Sequence, residues 1–166
     1  MNGMFAEEQV VDSYLRHYAF KEEQDFWAFD EVNQIVRCDL AAGWRLTCLL
    51  VNKASSDEAL AYVAAGPLED LLTFHGPTLM DHVEVAARAD ERLQLALSGV
   101  WLNRANPVWE RWFALMNEFG FADGKRLTLY ASRSGTCGKL PRNPFHGRDT
   151  QTTLILIWPP SGILPI

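Results

Sequence analysis

Cysteine is scarce in this chain and has no pairing pattern. Cys38, Cys48 and Cys137 are three, an odd number at wide spacing. That excludes a disulfide framework and fits no zinc motif, and it suits a reducing compartment, so a cytoplasmic setting is expected. Long hydrophobic runs are missing as well. No stretch approaches the roughly eighteen apolar residues that mark a membrane-spanning helix. The opening MNGMFAEEQVVDSYL has neither the basic start nor the apolar run of a secretory signal. No clean internal repeat is visible, and glutamate disappears after Glu118.

What is present is an ordinary globular composition, 48% apolar and 22% charged over 166 residues. This suits one domain with an appendage and needs no covalent staple. The net charge of −6 conceals a division. Residues 1–120 carry 19 acids and 9 bases, whereas residues 121–166 carry 2 acids and 6 bases. An acidic body disfavours nucleic acid as its main partner, because phosphate binding needs a concentrated basic face. A cationic protein partner is electrostatically easier. The six tryptophans are expected to fill a core.

Helical periodicity dominates the first 120 residues. Val10, Val11, Tyr14, Leu15 and Tyr18 recur at three- and four-residue steps, as do Phe26, Phe29, Val32, Ile35 and Val36. Leu40 to Val51 is apolar nearly all round and predicts a central helix. Ser55 and Glu58 have capping-box spacing ahead of Leu60 and Val63. In AAGPLEDLLTFHG, Gly66-Pro67 predicts a corner and Glu69 and Asp70 the first turn of a new helix. Leu68, Leu71 and Leu72 form its buried stripe, His75 its last turn, and Gly76-Pro77 its stop. Thr78 to Asp81 repeats the capping pattern before Leu79, Val83, Ala86 and Ala87. Asp90 caps a helix carrying Leu93, Ala96, Leu97, Val100 and Trp101, and Asn106-Pro107 opens a last one that Gly120 ends. The expected fold is all-α: a small array of about six or seven antiparallel or angled helices, compatible with a solenoid-like stack.

Beyond Gly120 the pattern changes, which divides the chain into a helical domain, 1–120, and a basic, Pro/Gly-rich extension, 121–166. Five of the eight prolines lie there. Residues 125–132 and 151–158 read as strands that could pair as a short hairpin with a long, irregular loop.

The run Ala64-Ala65-Gly66-Pro67-Leu68-Glu69-Asp70-Leu71-Leu72, then His75-Gly76 and Val100-Trp101, resembles a bacterial family known only as a domain of unknown function. The likeness spans roughly Asp12 to Phe113. It implies a small helical, cytoplasmic protein and no activity, substrate or cofactor.

The strongest grouping for catalysis or metal is His75, Asp81, His82 and Glu84, whose imidazole and carboxylate groups suit zinc or iron. It is the basis of an alternative expectation, a metal-dependent hydrolase. The spacing is poor, since HEXXH places two histidines one turn apart on one face. His82 reads more simply as a partly buried histidine with one hydrogen bond. Glu69 and Asp70 as a carboxylate pair would point about 100° apart on a helix. Ser132 to Gly135 lacks the setting of a nucleophile elbow, Gly135 to Lys139 is not a phosphate loop, and Cys137 is a candidate exposed thiol. His17 and His146 have no companions, while Arg104, Trp109, Arg111 and Trp112 could form an aromatic–cation surface. The apparent motifs therefore resolve into helix starts and stops. The expectation is a non-enzymatic module that binds another protein, in the manner of immunity proteins, with no cofactor and no membrane partner. Nucleic acid would enter only through the basic tail.

Overall fold

The computed structural model describes residues 6–121, and these are all helical apart from connections. The strands expected at 125–132 and 151–158 lie outside them, as do Cys137, His146 and the Ser132 and Gly135 segments. Seven α-helices follow one another: α1 (Glu7–Phe20), α2 (Phe26–Cys38), α3 (Leu40–Lys53), α4 (Asp57–Val63), α5 (Glu69–Ala89), α6 (Glu91–Ser98) and α7 (Trp109–Glu118). A short 3₁₀ turn, Glu23–Asp25, precedes α2.

Helix α3 packs against α1, α2, α4, α5 and α6, the central position its apolar composition predicts. Leu46 and Leu50 are fully buried there, with Leu60 of α4, Leu71 and Leu72 of α5, Leu97 of α6 and Met116 of α7. A Cβ at Gly43 would lie 3.0 Å from the Val36 Cα and 3.2 Å from Leu71 Cδ2. The missing side chain is therefore what lets α3 approach α2 this closely. Asp39 begins α3 by accepting the Ala42 N–H at 2.9 Å, and Arg92 of α6 covers its end. The Arg92 Nε donates to the Val51 carbonyl at 2.7 Å, and its Nη2 donates to that of Ala54. Carbonyls left without partners at a helix end are thereby satisfied.

The corner expected at Gly66-Pro67 is not there. The chain stays helical from α4 through a π-helical turn, Ala64–Leu68, into α5. In an α-helix the Pro67 ring would collide with the Val63 carbonyl and remove one hydrogen bond. The π turn widens the coil instead, so that the Glu69 N–H reaches back to the Ala64 carbonyl. Gly66 fits here because the Tyr14 hydroxyl lies 3.2 Å from where its Cβ would stand.

The expected stop at Gly76-Pro77 is also absent, since both residues lie inside α5. Pro77 and Thr73, whose carbonyl the proline leaves without its helical partner, face solvent. Gly76 is instead a packing site: a Cβ would come within 2.8 Å of Val108 Cγ2. Burial of Leu71, Leu72, Leu79, Met80 and Val83 along α5 outweighs the roughly 3 kcal/mol a mid-helix proline costs.

Capping follows the reading at some termini only. Ser56, not Ser55, caps α4 by accepting the Ala59 N–H at 3.1 Å. Thr78 caps nothing, being interior to α5. Asp90 caps α6 as expected, accepting from Arg92 and Leu93. Gly120 adopts φ 77° just past α7, the left-handed stop a glycine supplies.

Candidate functional site

Because α4, the π turn and α5 are continuous, Glu69 and Asp70 have no orphan N–H groups to serve. Their roles are tertiary. The Glu69 carboxylate accepts the backbone N–H of Trp101 at 3.0 Å, tying the start of α5 to the connection that follows α6. Burial pushes the Glu69 carboxyl above its ordinary range; the Trp101 N–H pulls it partly back, and the neighbouring Asp70 charge adds to the rise. Asp70 turns to α2, where its Oδ2 accepts from both Nε and Nη2 of Arg37 at 3.0 Å. The two carboxylates therefore diverge to different partners.

Arg37 also lies 5.2 Å from the ring centroid of Phe74, one turn beyond Asp70. Phe74 is 52% exposed and Trp101 is 72% exposed. The helical period puts Trp101 on the inner face of α6, but α6 ends at Ser98; Val100 is buried and Trp101 turns outward. Of the tryptophans expected to fill the core, Trp112 alone is buried among the described residues. Its Nε1 donates to the Leu97 carbonyl at 3.2 Å.

His75 donates from Nε2 to the Val36 carbonyl at 3.0 Å, another link from α5 to α2. Asp81 and Glu84 meet elsewhere, on the Arg111 guanidinium of α7, at 2.6 and 2.8 Å. Glu84 also lies 3.9 Å from Arg88, the pair its i,i+4 spacing predicts, and Arg88 forks onto Glu118 at 2.8 Å. His82 is exposed rather than partly buried. It lines an open, mostly apolar hollow of about 420 Å³ with Trp44, Asp81, Val85 and Ala86. The structure thus joins Asp81 to Glu84 through an arginine and sends His75 to a backbone carbonyl. Among the described residues, no group of three or more His, Cys, Asp or Glu side chains is placed to hold a metal ion.

The expected aromatic–cation surface divides in the same way. Arg104 does lie over the Trp109 ring, 5.3 Å from its centroid, but Arg111 is committed to carboxylates and Trp112 to the core. Burial pushes the Cys48 thiol up to about 11, which leaves it a poor nucleophile at neutral pH. None of the described helices is long and apolar enough to cross a membrane.

Sequence reasoning missed the exposure of Trp101 and Phe74. A signal for Trp101 was available in Gly99, two residues before it, which ends α6 before the period reaches the tryptophan.

No curated protein and no solved structure gives a significant match. A family model does match, over residues 16–118, and its description is a family of unknown function. The matched span holds both partners of the Glu69–Trp101 link and covers more than half of the chain, which therefore belongs to that family, DUF6869.

Proposed function

We propose that this chain is a non-catalytic, cytoplasmic module that binds another protein through the face where α5 begins. The observation that carries this reading is the fastening of Trp101. Its backbone is held by a half-buried carboxylate while its side chain projects into solvent. Exposed tryptophans are rare and are over-represented among residues that dominate binding energy. Phe74, steadied by Arg37, adds a second exposed ring on the same helix as Glu69.

The charge distribution favours a cationic partner. Arg16, Arg37, Arg45, Lys53, Arg88 and Arg111 all pair with carboxylates inside the fold. Among the described residues the acids left over outnumber the bases left over, so the field around this part of the chain is negative. A helical immunity protein neutralising a basic partner is one form such a module takes, by analogy of fold class alone.

Affinity purification of the tagged chain from its native host tests the proposal. A species recovered with the wild-type chain and lost with Trp101→Ser, at unchanged helical content, supports it. Identical recovery with both chains contradicts it.

A further inference from the structure

A second surface lies at the corner between α1 and α2. Phe20, the last residue of α1, is 69% exposed, and Phe26, the first of α2, is 47% exposed. The period of α2 predicts Phe26 on the buried stripe, yet the stripe begins at Ala28 and Val32. Phe26 is nonetheless held in place. Its ring stacks on Phe29, 5.7 Å away at 26°, and meets His17 nearly edge-on at 5.6 Å and 73°. His17 stands one turn before Phe20 on α1 and donates from Nδ1 to the Glu22 carbonyl at 3.0 Å. The turn beneath is fixed by Arg16, which forks onto the buried Asp25 at 2.5 and 2.6 Å.

Unpaired carboxylates outnumber unpaired bases around these rings. Glu22 and Glu23 precede Phe26, and Asp30 follows it by one turn on the same face of α2; all three are exposed. No base pairs with any of them among the described residues. Of the nearest bases, one is paired with a carboxylate and the other keeps its charge but lies over aromatic rings. Arg16 is held by Asp25, and the Lys21 ammonium lies over the Tyr18 and Tyr62 rings, at 4.8 and 5.4 Å, toward α4.

We propose that Phe20 and Phe26, rimmed by Glu22, Glu23 and Asp30, form a docking surface for a cationic amphipathic segment of another protein. The Phe26 ring supplies an apolar anchor that is ordered before binding, which lowers the entropic cost of association, and Phe20 adds apolar area. The carboxylates select lysine- and arginine-rich partners and speed their approach. The same carboxylates repel nucleic acid and anionic membrane. The proposal shares the protein-binding reading given above but uses a different face, so either can fail alone.

The test is fluorescence anisotropy on the full chain, with a labelled synthetic peptide that alternates leucine and lysine at helical spacing. A counterpart with each lysine replaced by glutamate is the control. The lysine peptide binds and the glutamate peptide does not. Phe20→Ser with Phe26→Ser weakens binding about tenfold or more, as loss of a hot spot does. Glu22→Gln with Glu23→Gln and Asp30→Asn weakens it comparably, and most at low salt. An equal neutralisation away from that corner, Glu8→Gln with Glu91→Gln and Glu110→Gln, leaves it within about twofold. Far-UV circular dichroism checks each fold, and Phe20→Ser alone serves if the double variant loses helix. Failure of the lysine peptide to bind, indifference to the phenylalanine changes, or equal loss from the distant neutralisation overturns the proposal.

Discussion

Glu69 and Trp101 are joined by a single hydrogen bond, carboxylate to backbone N–H at 3.0 Å, across 32 positions of sequence. It is the contact that holds the most exposed tryptophan of the described residues against the start of α5.

The link predicts a pH effect with a definite sign. Burial raises the Glu69 carboxyl above its ordinary value of 4.5 in the folded state. The native state then holds its proton more tightly than the unfolded chain does. Stability therefore falls as pH rises from that value through the folded pKa. Glu69→Gln keeps an acceptor for the Trp101 N–H without the charge. Urea titrations should show the variant at least as stable as wild type at neutral pH. Glu69→Ala, which removes the acceptor, should cost about 1 kcal/mol.

Asp25 should show the opposite dependence. The Arg16 guanidinium holds its carboxyl below the ordinary value of 3.8. The stability it contributes is present above that value and is lost as pH falls through the folded pKa. Thermal melts should find Asp25→Asn less stable than wild type at neutral pH, with the gap closing in strong acid.

Gly43→Ala ought to reverse the ordinary helix rule. Alanine in a helix interior normally gains about 1 kcal/mol over glycine. Here the new methyl would press on the Val36 backbone at 3.0 Å, and overpacking of that kind costs about 1–3 kcal/mol. Chemical denaturation should report a net loss. Gly76→Ala should behave alike against Val108, and Val108→Ala should relieve it.

Thr47 is fully buried in α3, and its hydroxyl has no hydrogen-bond partner. Thr47→Val replaces that hydroxyl with a methyl of similar size. It should stabilise the fold by about 1 kcal/mol, since an unsatisfied buried polar group costs that much or more. Denaturant midpoints check the sign.

The helical architecture was legible because helical period and capping are local signals. Asp90 and Gly120 were read correctly, and so was the central place of α3. The proline corners were not. Pro67 and Pro77 are strong local breakers, but a π turn accommodates one, and the other leaves its unpartnered carbonyl on the solvent face. Whether a helix survives its proline depends on how much apolar surface the rest of it buries, which is a tertiary quantity. Gly76 deceived for the same reason: a glycine that stops a helix and one that admits Val108 look alike in sequence. Once α4 and α5 are one rod, Glu69, Asp70 and His75 cease to be terminus residues and become links to Trp101, Arg37 and Val36. Only the partners across space, none of them within 30 positions, disclose those roles.

Hydroxyl-radical footprinting of the wild-type chain, alone and in complex with the species it recovers from its host, tests the proposed binding face most directly. Trp101 should lose reactivity in the complex while the exposed Val85 keeps its own. Unchanged reactivity at Trp101, with protection elsewhere or nowhere, would contradict the account.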